Sequence, residues 1–169
     1  MRHLLVYSSV TGNTRAVAEA IHRIMPPGTG IYPVRQAPEP DAYDFLALGF
    51  WTHRAGPDPL MSRYMEKVRG KSVGIFGTLA AYPDSEHAGH VIDAARAQLA
   101  GNRIVGAFLC QGRLAPKRFE RRMQGDGNAK HPMTPERRAR LLEAAKHPDA
   151  EDFARAQSAF AGFLQSVIA

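Results

Sequence analysis

The chain has 169 residues, a length that suits one domain with a sizeable core, and its 44% hydrophobic and 22% charged content is that of an ordinary globular protein, which excludes wholesale disorder. No apolar run approaches the ~20 residues that cross a bilayer, the N-terminus meets polar Ser8-Ser9 too soon for a secretory signal, and a lone Cys110 excludes an internal disulfide framework or a multi-cysteine metal site. The formal charge of +6, from 22 Lys+Arg against 16 Asp+Glu, lies entirely in residues 111–147, which hold ten bases and four acids; the remainder has 12 of each.

The first 110 residues alternate strand and helix patterns. His3 to Tyr7 reads as a buried strand, followed by the small polar cluster Ser8 to Thr14. Ala16 to Met25 has helical spacing and is stopped by Pro26-Pro27-Gly28. Ile31 to Val34 is a weaker strand, and Pro33 suits it to a sheet edge. Asp44 to Phe50 is a strong buried strand, with a loop from Trp51 to Pro59. Leu60, Met61, Tyr64, Met65 and Val68 make a helix closed by Gly70. Ser72 to Gly77 is a fourth strand, with a loop from Thr78 to Asp84. Ser85 caps a helix ending near Gly101, and Arg103 to Cys110 is the fifth strand. Beyond it the spacing predicts a short helix over Pro116–Met123 and a loop over Gln124–Asn128. A helix follows from Thr134-Pro135-Glu136 to about Lys146, broken by His147-Pro148, and a last amphipathic helix runs to Ile168. Five strands separated by helices or loops, with near-continuous apolar runs in the central ones, imply a doubly wound α/β parallel sheet. Ligands of such sheets bind beyond the carboxyl ends of the strands, here loops 8–14, 51–59 and 78–85.

Ser9-Val10-Thr11-Gly12-Asn13-Thr14 is the sharpest signal. Between a buried strand and a helix, its backbone N–H groups face a concavity at the positive end of the helix dipole, which favours an anion. Ser9, Thr11, Asn13 and Thr14 add neutral donors, Gly12 permits close approach, and no Lys or Arg lies inside the loop. The other apparent motifs carry less. Gly70-Lys71-Ser72 has Met65 where a P-loop needs Gly and precedes a strand. No G-x-G-x-x-G follows the first strand, Ser8-Ser9 stand where a receiver domain needs acids, Glu86, His87 and His90 read as surface groups, and Cys110 reads as core.

Tyr7 to Thr14, with Ala18 after it, resembles the phosphate loop of the flavodoxin family, and the likeness covers roughly residues 2–110 and the last helix. It implies a strand order 2-1-3-4-5 and FMN as cofactor. The phosphate would rest on Ser9, Val10, Thr11, Gly12, Asn13 and Thr14, and the ring would lie between the loops after strands 3 and 4. In the first of these, Trp51 and His53 compete to stack on the flavin, with Thr52 beside them, and Gly56 is placed to turn a carbonyl toward flavin N5–H. In the second, the resemblance implies that Thr78, Leu79 and Tyr82 would line the ring, with Tyr82 near the outer stacking position. Typical flavodoxins are acidic; here the flavodoxin-like part is neutral and His53 and Arg54 stand beside the ring, which would favour the anionic reduced flavin. Three segments, 77–88, 110–112 and 131–137, are similar to a subgroup from anaerobic bacteria, some of which accompany reductases of tetrapyrroles such as bilirubin.

The resulting expectation is a single cytoplasmic flavodoxin-like domain over 1–169, with 111–147 as a basic helical insertion after strand 5. The flavin would carry electrons between a reductase and an acceptor, with no catalytic acid or base and no metal. Two alternatives are an FMN-dependent NAD(P)H reductase of a small acceptor such as a quinone or tetrapyrrole, and a non-redox module binding a phosphate ligand. Partners are expected to be redox proteins, acidic ones docking on 111–147; nucleic acid and membrane are not expected, since Phe119 is the only aromatic of that segment. The segment begins at Gln111-Gly112-Arg113, on the cofactor edge, and so also stands to wall the flavin or form a substrate pocket. The expected state is a monomer or weak dimer.

Overall fold

The computed structural model describes residues 1–125 and 132–168. Lys130 and part of the loop expected over Gln124–Asn128 lie outside the described residues. The strands are β1 (His3–Tyr7), β2 (Gly30–Pro33), β3 (Phe45–His53), β4 (Gly56–Pro57), β5 (Ser72–Leu79) and β6 (Arg103–Gln111). The helices are α1 (Asn13–His22), α2 (Pro59–Met65), α3 (Glu86–Gln98), α4 (Pro116–Met123), α5 (Pro135–Ala144) and α6 (Ala150–Ile168).

Five strands form a parallel sheet in the order β2-β1-β3-β5-β6. Among the long strands this is the expected 2-1-3-4-5 order, with Pro33 on the edge strand β2. The addition is β4, two residues that pair antiparallel with the end of β3. That pairing carries β3 three residues past Phe50, to His53.

Successive side chains of a strand point to opposite faces. Leu4 and Val6 of β1, and Leu46, Leu48 and Phe50 of β3, pack with Met61, Met65, Val91 and Leu99 of the α2/α3 layer. Leu5, Phe45 and Ala47 face the other way, onto Val17, Ile21, Phe160 and Leu164 of the α1/α6 layer. Cys110 belongs to that second core, where burial pushes its thiol pKa up and leaves it inert. The packing requires glycine where rings cross the sheet: a Cβ on Gly49 would collide with the Phe76 ring, and one on Gly106 with the Phe163 ring of α6.

Two helix starts differ from the spacing-based expectation for local reasons. Helix α1 starts at Asn13, three residues early, because Gly12 adopts φ 90° and turns the chain directly into the helix. Helix α2 starts at Pro59, capped by the Asp58 carboxylate, which accepts from Leu60 and Met61 N–H; Pro is favoured at a first helical position.

Candidate functional site

Three loops meet beyond β1, β3 and β5. In the first, Ser9 Oγ accepts the Gly12 N–H at 3.2 Å, closing the loop on itself. Helix α1 has no side-chain cap, and its first backbone bond runs from Ala16 N–H to Gly12 C=O. The helical geometry therefore leaves the N–H groups of Asn13, Thr14 and Arg15 without intrahelical acceptors. Buried Thr14 ties this loop to the third, its hydroxyl 2.9 Å from that of Thr78. The Asn13 amide donates to the Arg113 carbonyl at 2.8 Å, so the chain leaving β6 is pressed against the loop. A Cβ on Gly112 would lie 2.7 Å from Asn13 Nδ2.

The second loop is a tight hairpin. Thr52 pairs with Pro57 and His53 with Gly56, so the two-residue turn is Arg54-Ala55, with φ 47° and 61°. Such left-handed turns usually hold Asn-Gly, and ordinary side chains there cost on the order of 1 kcal/mol each. The turn is held from behind by Asp58, 1% exposed, whose N–H donates to the Trp51 carbonyl at 3.2 Å. The Asp58 carboxylate accepts Ser8 Oγ–H at 2.8 Å, joining the first and second loops, while also capping α2. Trp51 and His53 meet edge to face, with ring centres 5.4 Å apart.

A cavity of about 700 Å³ opens among these loops, a size typical of small-molecule sites. Of the residues expected at the site, Val10, Thr11, Asn13, Thr14, Trp51, Thr52, Thr78, Leu79 and Tyr82 line it. Ser9, Gly12, His53 and Gly56 do not, and His53 lies against Trp51 instead. Thr52 Oγ1 is buried on this wall with no hydrogen-bond partner, a polar atom suited to a ligand. Gly112 to Ala115, pressed against the first loop, line the cavity too, with Arg118 and Arg122 of α4 and Arg137 and Arg140 of α5; with Arg113 and Arg54 the guanidiniums number six. Thus described residues of the basic segment, between Gly112 and Arg140, help to wall the same cavity as the first loop. Their total charge is evident in the sequence; which of the cations face inward is not. Asp58 has no motif signal beyond preceding a proline.

The basic segment is anchored where it rejoins the body. Arg113 N–H donates to the His147 carbonyl at 3.0 Å. The His147 ring lies between Asp152 and Glu143, 2.5 and 3.2 Å away, and Arg155 holds the other Asp152 oxygen at 2.7 Å. The bond to Asp152 raises the His147 pKa above its ordinary value. Burial pushes the Asp152 carboxyl up, but its bonds to His147, the Asp149 N–H and Arg155 outweigh that and hold it low. His147, Asp149 and Asp152 are close enough to suggest a cation site, but these internal bonds already account for their approach. At the earlier histidine group, His87 lines the cavity and His90 lies 3.9 Å from Glu86 on the exposed face of α3.

The sequence profile of the flavodoxin domain matches residues 4–161. The chain belongs to this family. It is 29% identical to the flavodoxin-like domain-containing protein BilS of Clostridium symbiosum, across 99% of this chain and 96% of that one. Among solved structures, oxidised flavodoxin 2 from Bacillus cereus superposes with a TM-score of 0.60 at 18% identity, covering 98% of this chain and 99% of that one. A flavoprotein from Lactobacillus acidophilus, solved in complex with FMN, gives 0.53 at 12% identity over 64% of this chain and 92% of that one. The flavodoxin fold thus extends over both the strand-loop cradle and α6. No described helix is long and apolar enough to cross a membrane.

Proposed function

We infer that this chain is an FMN flavoprotein that moves electrons between a reductase and an acceptor, and that the whole chain is one flavodoxin-like domain with 111–147 inserted in it. The observation that carries the reading is the cradle: in a flavodoxin-family chain, a cavity beyond the parallel strands opens on the uncapped start of α1. A structural neighbour was solved with FMN. The donors fit the group. Backbone N–H groups of the 9–14 loop and the hydroxyls of Ser9, Thr11 and Thr14 would hold the phosphate, aided by the helix dipole. Val10, Gly12 and Asn13 shape that loop, though the Asn13 amide is partly engaged by Arg113. Thr52 Oγ1 would gain the partner it lacks.

Bound FMN supplies one- and two-electron redox chemistry that no side chain here possesses. The protein's part is to hold, orient and tune. Trp51, with His53 buttressing it, is the inner stacking candidate; Tyr82, 40% exposed, is the outer one. Thr78 and Leu79 line the same side, and Gly56 anchors the hairpin in the second strand of its turn. Arg54, fixed by that turn, would favour negative charge near the ring. No proton-transfer group is required for single-electron exchange with redox proteins, acidic ones being drawn to the basic segment.

A second reading, in which the chain itself reduces a small acceptor such as a quinone or tetrapyrrole with NAD(P)H, is favoured by the cavity's arginine wall. Spectroscopy separates the two. The purified chain is expected to take up FMN and, on stepwise anaerobic reduction, to accept electrons in two separated one-electron steps. Direct bleaching by NAD(P)H would select the second reading, and failure to take up FMN would sink both.

A further inference from the structure

We propose that the cavity contains a second oxyanion site, built by arginines of α4 and α5 and fitted to a small molecule bearing carboxylate or phosphate groups. The proposal rests on the reading of the first-loop end as the FMN site.

Charge is the first argument. Six guanidiniums line the cavity, and no Asp or Glu does so among the described residues. The phosphate of FMN carries about −1.5 to −2 at neutral pH. That anion would be met by backbone N–H groups and hydroxyls of the first loop. Arg122 and Arg137 make contacts of their own, and the other four, Arg54, Arg113, Arg118 and Arg140, still exceed the charge of one phosphate, so the lining keeps a formal surplus of positive charge with FMN bound.

Placement is the second. Arg118 and Arg122 are four apart on α4, and Arg137 and Arg140 three apart on α5, so each pair shares one helix face. Lys117, Arg121, Arg138 and Lys146 are not among the lining residues. Lys146 is paired outside with Glu143 at 2.8 Å. The inward cations are all arginines, whose planar fork matches carboxylate and phosphate; the described lysines of this segment are off the cavity. The third argument is a single atom. Arg140 Nε is buried on this wall with no hydrogen-bond partner, a donor that an oxyanion would satisfy.

Concavity favours a small molecule over an acidic protein. A docking patch for a protein would draw on the outward cations as much as on the inward ones, because surface steering is long-ranged. A ligand inside the cavity would depend on the inward set alone.

The test titrates the full chain, loaded with FMN, by calorimetry with two probes: benzene-1,3,5-tricarboxylate and inorganic pyrophosphate. At least one should bind without releasing FMN, and the tighter one assigns the site to carboxylate or phosphate ligands. R118Q/R140Q should weaken that binding by at least about tenfold. K117Q/R138Q, which removes the same charge from the outer faces, should weaken it less than about twofold. The proposal is overturned if neither probe binds up to about 10 mM, if a probe expels FMN, or if both double variants lose affinity equally. A polyglutamate peptide bound more tightly than either probe, with equal losses in both variants, would assign the face to an acidic protein and also overturn it. Should the chain take up no FMN, the flavin reading fails on its own. The same titration of the unloaded chain then decides the arginine site by the same contrast between the two variants.

Discussion

The two walls of the cavity are made by different means. On the sheet side, the cavity is lined by loop residues with backbone N–H groups, hydroxyls and aromatic rings, held by buried bonds such as Ser8 to Asp58 and Thr14 to Thr78. On the α4/α5 side they are arginines on helices that bury little: α4 buries no residue and α5 only Leu141 and Ala144. Helix α1 by comparison buries six. A wall of the first kind recognises by shape, because its donors cannot move far. A wall of the second kind recognises by charge, with long side chains that can adapt. One cavity thus joins a rigid grip, suited to a resident cofactor, to an adaptable one suited to a ligand that comes and goes.

The largest expected effect breaks the rigid wall. Asp58→Ala removes the acceptor of Ser8, Leu60 and Met61 in one step, and should cost about 3 kcal/mol at roughly one per bond, with FMN uptake falling alongside. Chemical denaturation and an FMN titration check both parts; a stable variant with normal FMN affinity would deny Asp58 its joining role. Leu141→Ala strikes the other wall. Leu141 is 3% exposed, and its truncation should cost about 2 kcal/mol, at the low end for a core leucine because α5 can relax. Probe binding by the arginine wall should drop while FMN affinity changes little, and equal loss of both would show the walls to be one cooperative unit.

The smallest effect concerns the anchor, and it depends on pH. His147 has a raised pKa, so its bond to Asp152 contributes fully below the ordinary histidine value and is lost as pH rises through the folded value. Asp152 has a lowered pKa, so its contribution is present above the ordinary carboxylate value and fades as pH falls through the folded one. The chain should therefore melt a few degrees lower at pH 9 than at pH 6, and His147→Gln should remove most of that difference. Thermal melts across the range are sufficient; an unchanged pH profile in the variant would place the titrating group elsewhere.

These contrasts also explain which parts could be read from the residues. The five long strands were legible because buried parallel strands appear as continuous apolar runs, while their order was implied only by the resemblance of the first loop to that of the flavodoxins. The 9–14 loop was legible because its work is done by small residues at fixed positions between a strand and a helix. The hairpin was not: Arg54-Ala55 has neither the Asn nor the Gly that signals a left-handed turn, and only Asp58 and the pairing of β4 hold it there. His53 could not be separated from Trp51 by position alone, since both stand at the end of β3 and the ring contact between them decides which faces the cavity. In the basic segment the net charge was plain, but the inward set was not. Helix spacing groups Arg118 with Arg122 and Arg137 with Arg140, yet the direction those faces take depends on how α4 and α5 sit against the loops.

The bond between Arg113 and His147 has a consequence for how such a chain can diversify. The backbone departs from the sheet and comes back to it at neighbouring points, 3.0 Å apart across that bond. Everything between them is an excursion whose two feet stand together, so its length and content can change without redirecting the path from β6 to α6. A graft between these feet that keeps apolar residues in place of buried Leu141 and Ala144 is expected to leave the flavodoxin frame its geometry and to exchange the wall that lines the cavity. On that expectation the frame is a socket, and the stretch between Arg113 and His147 is its exchangeable part.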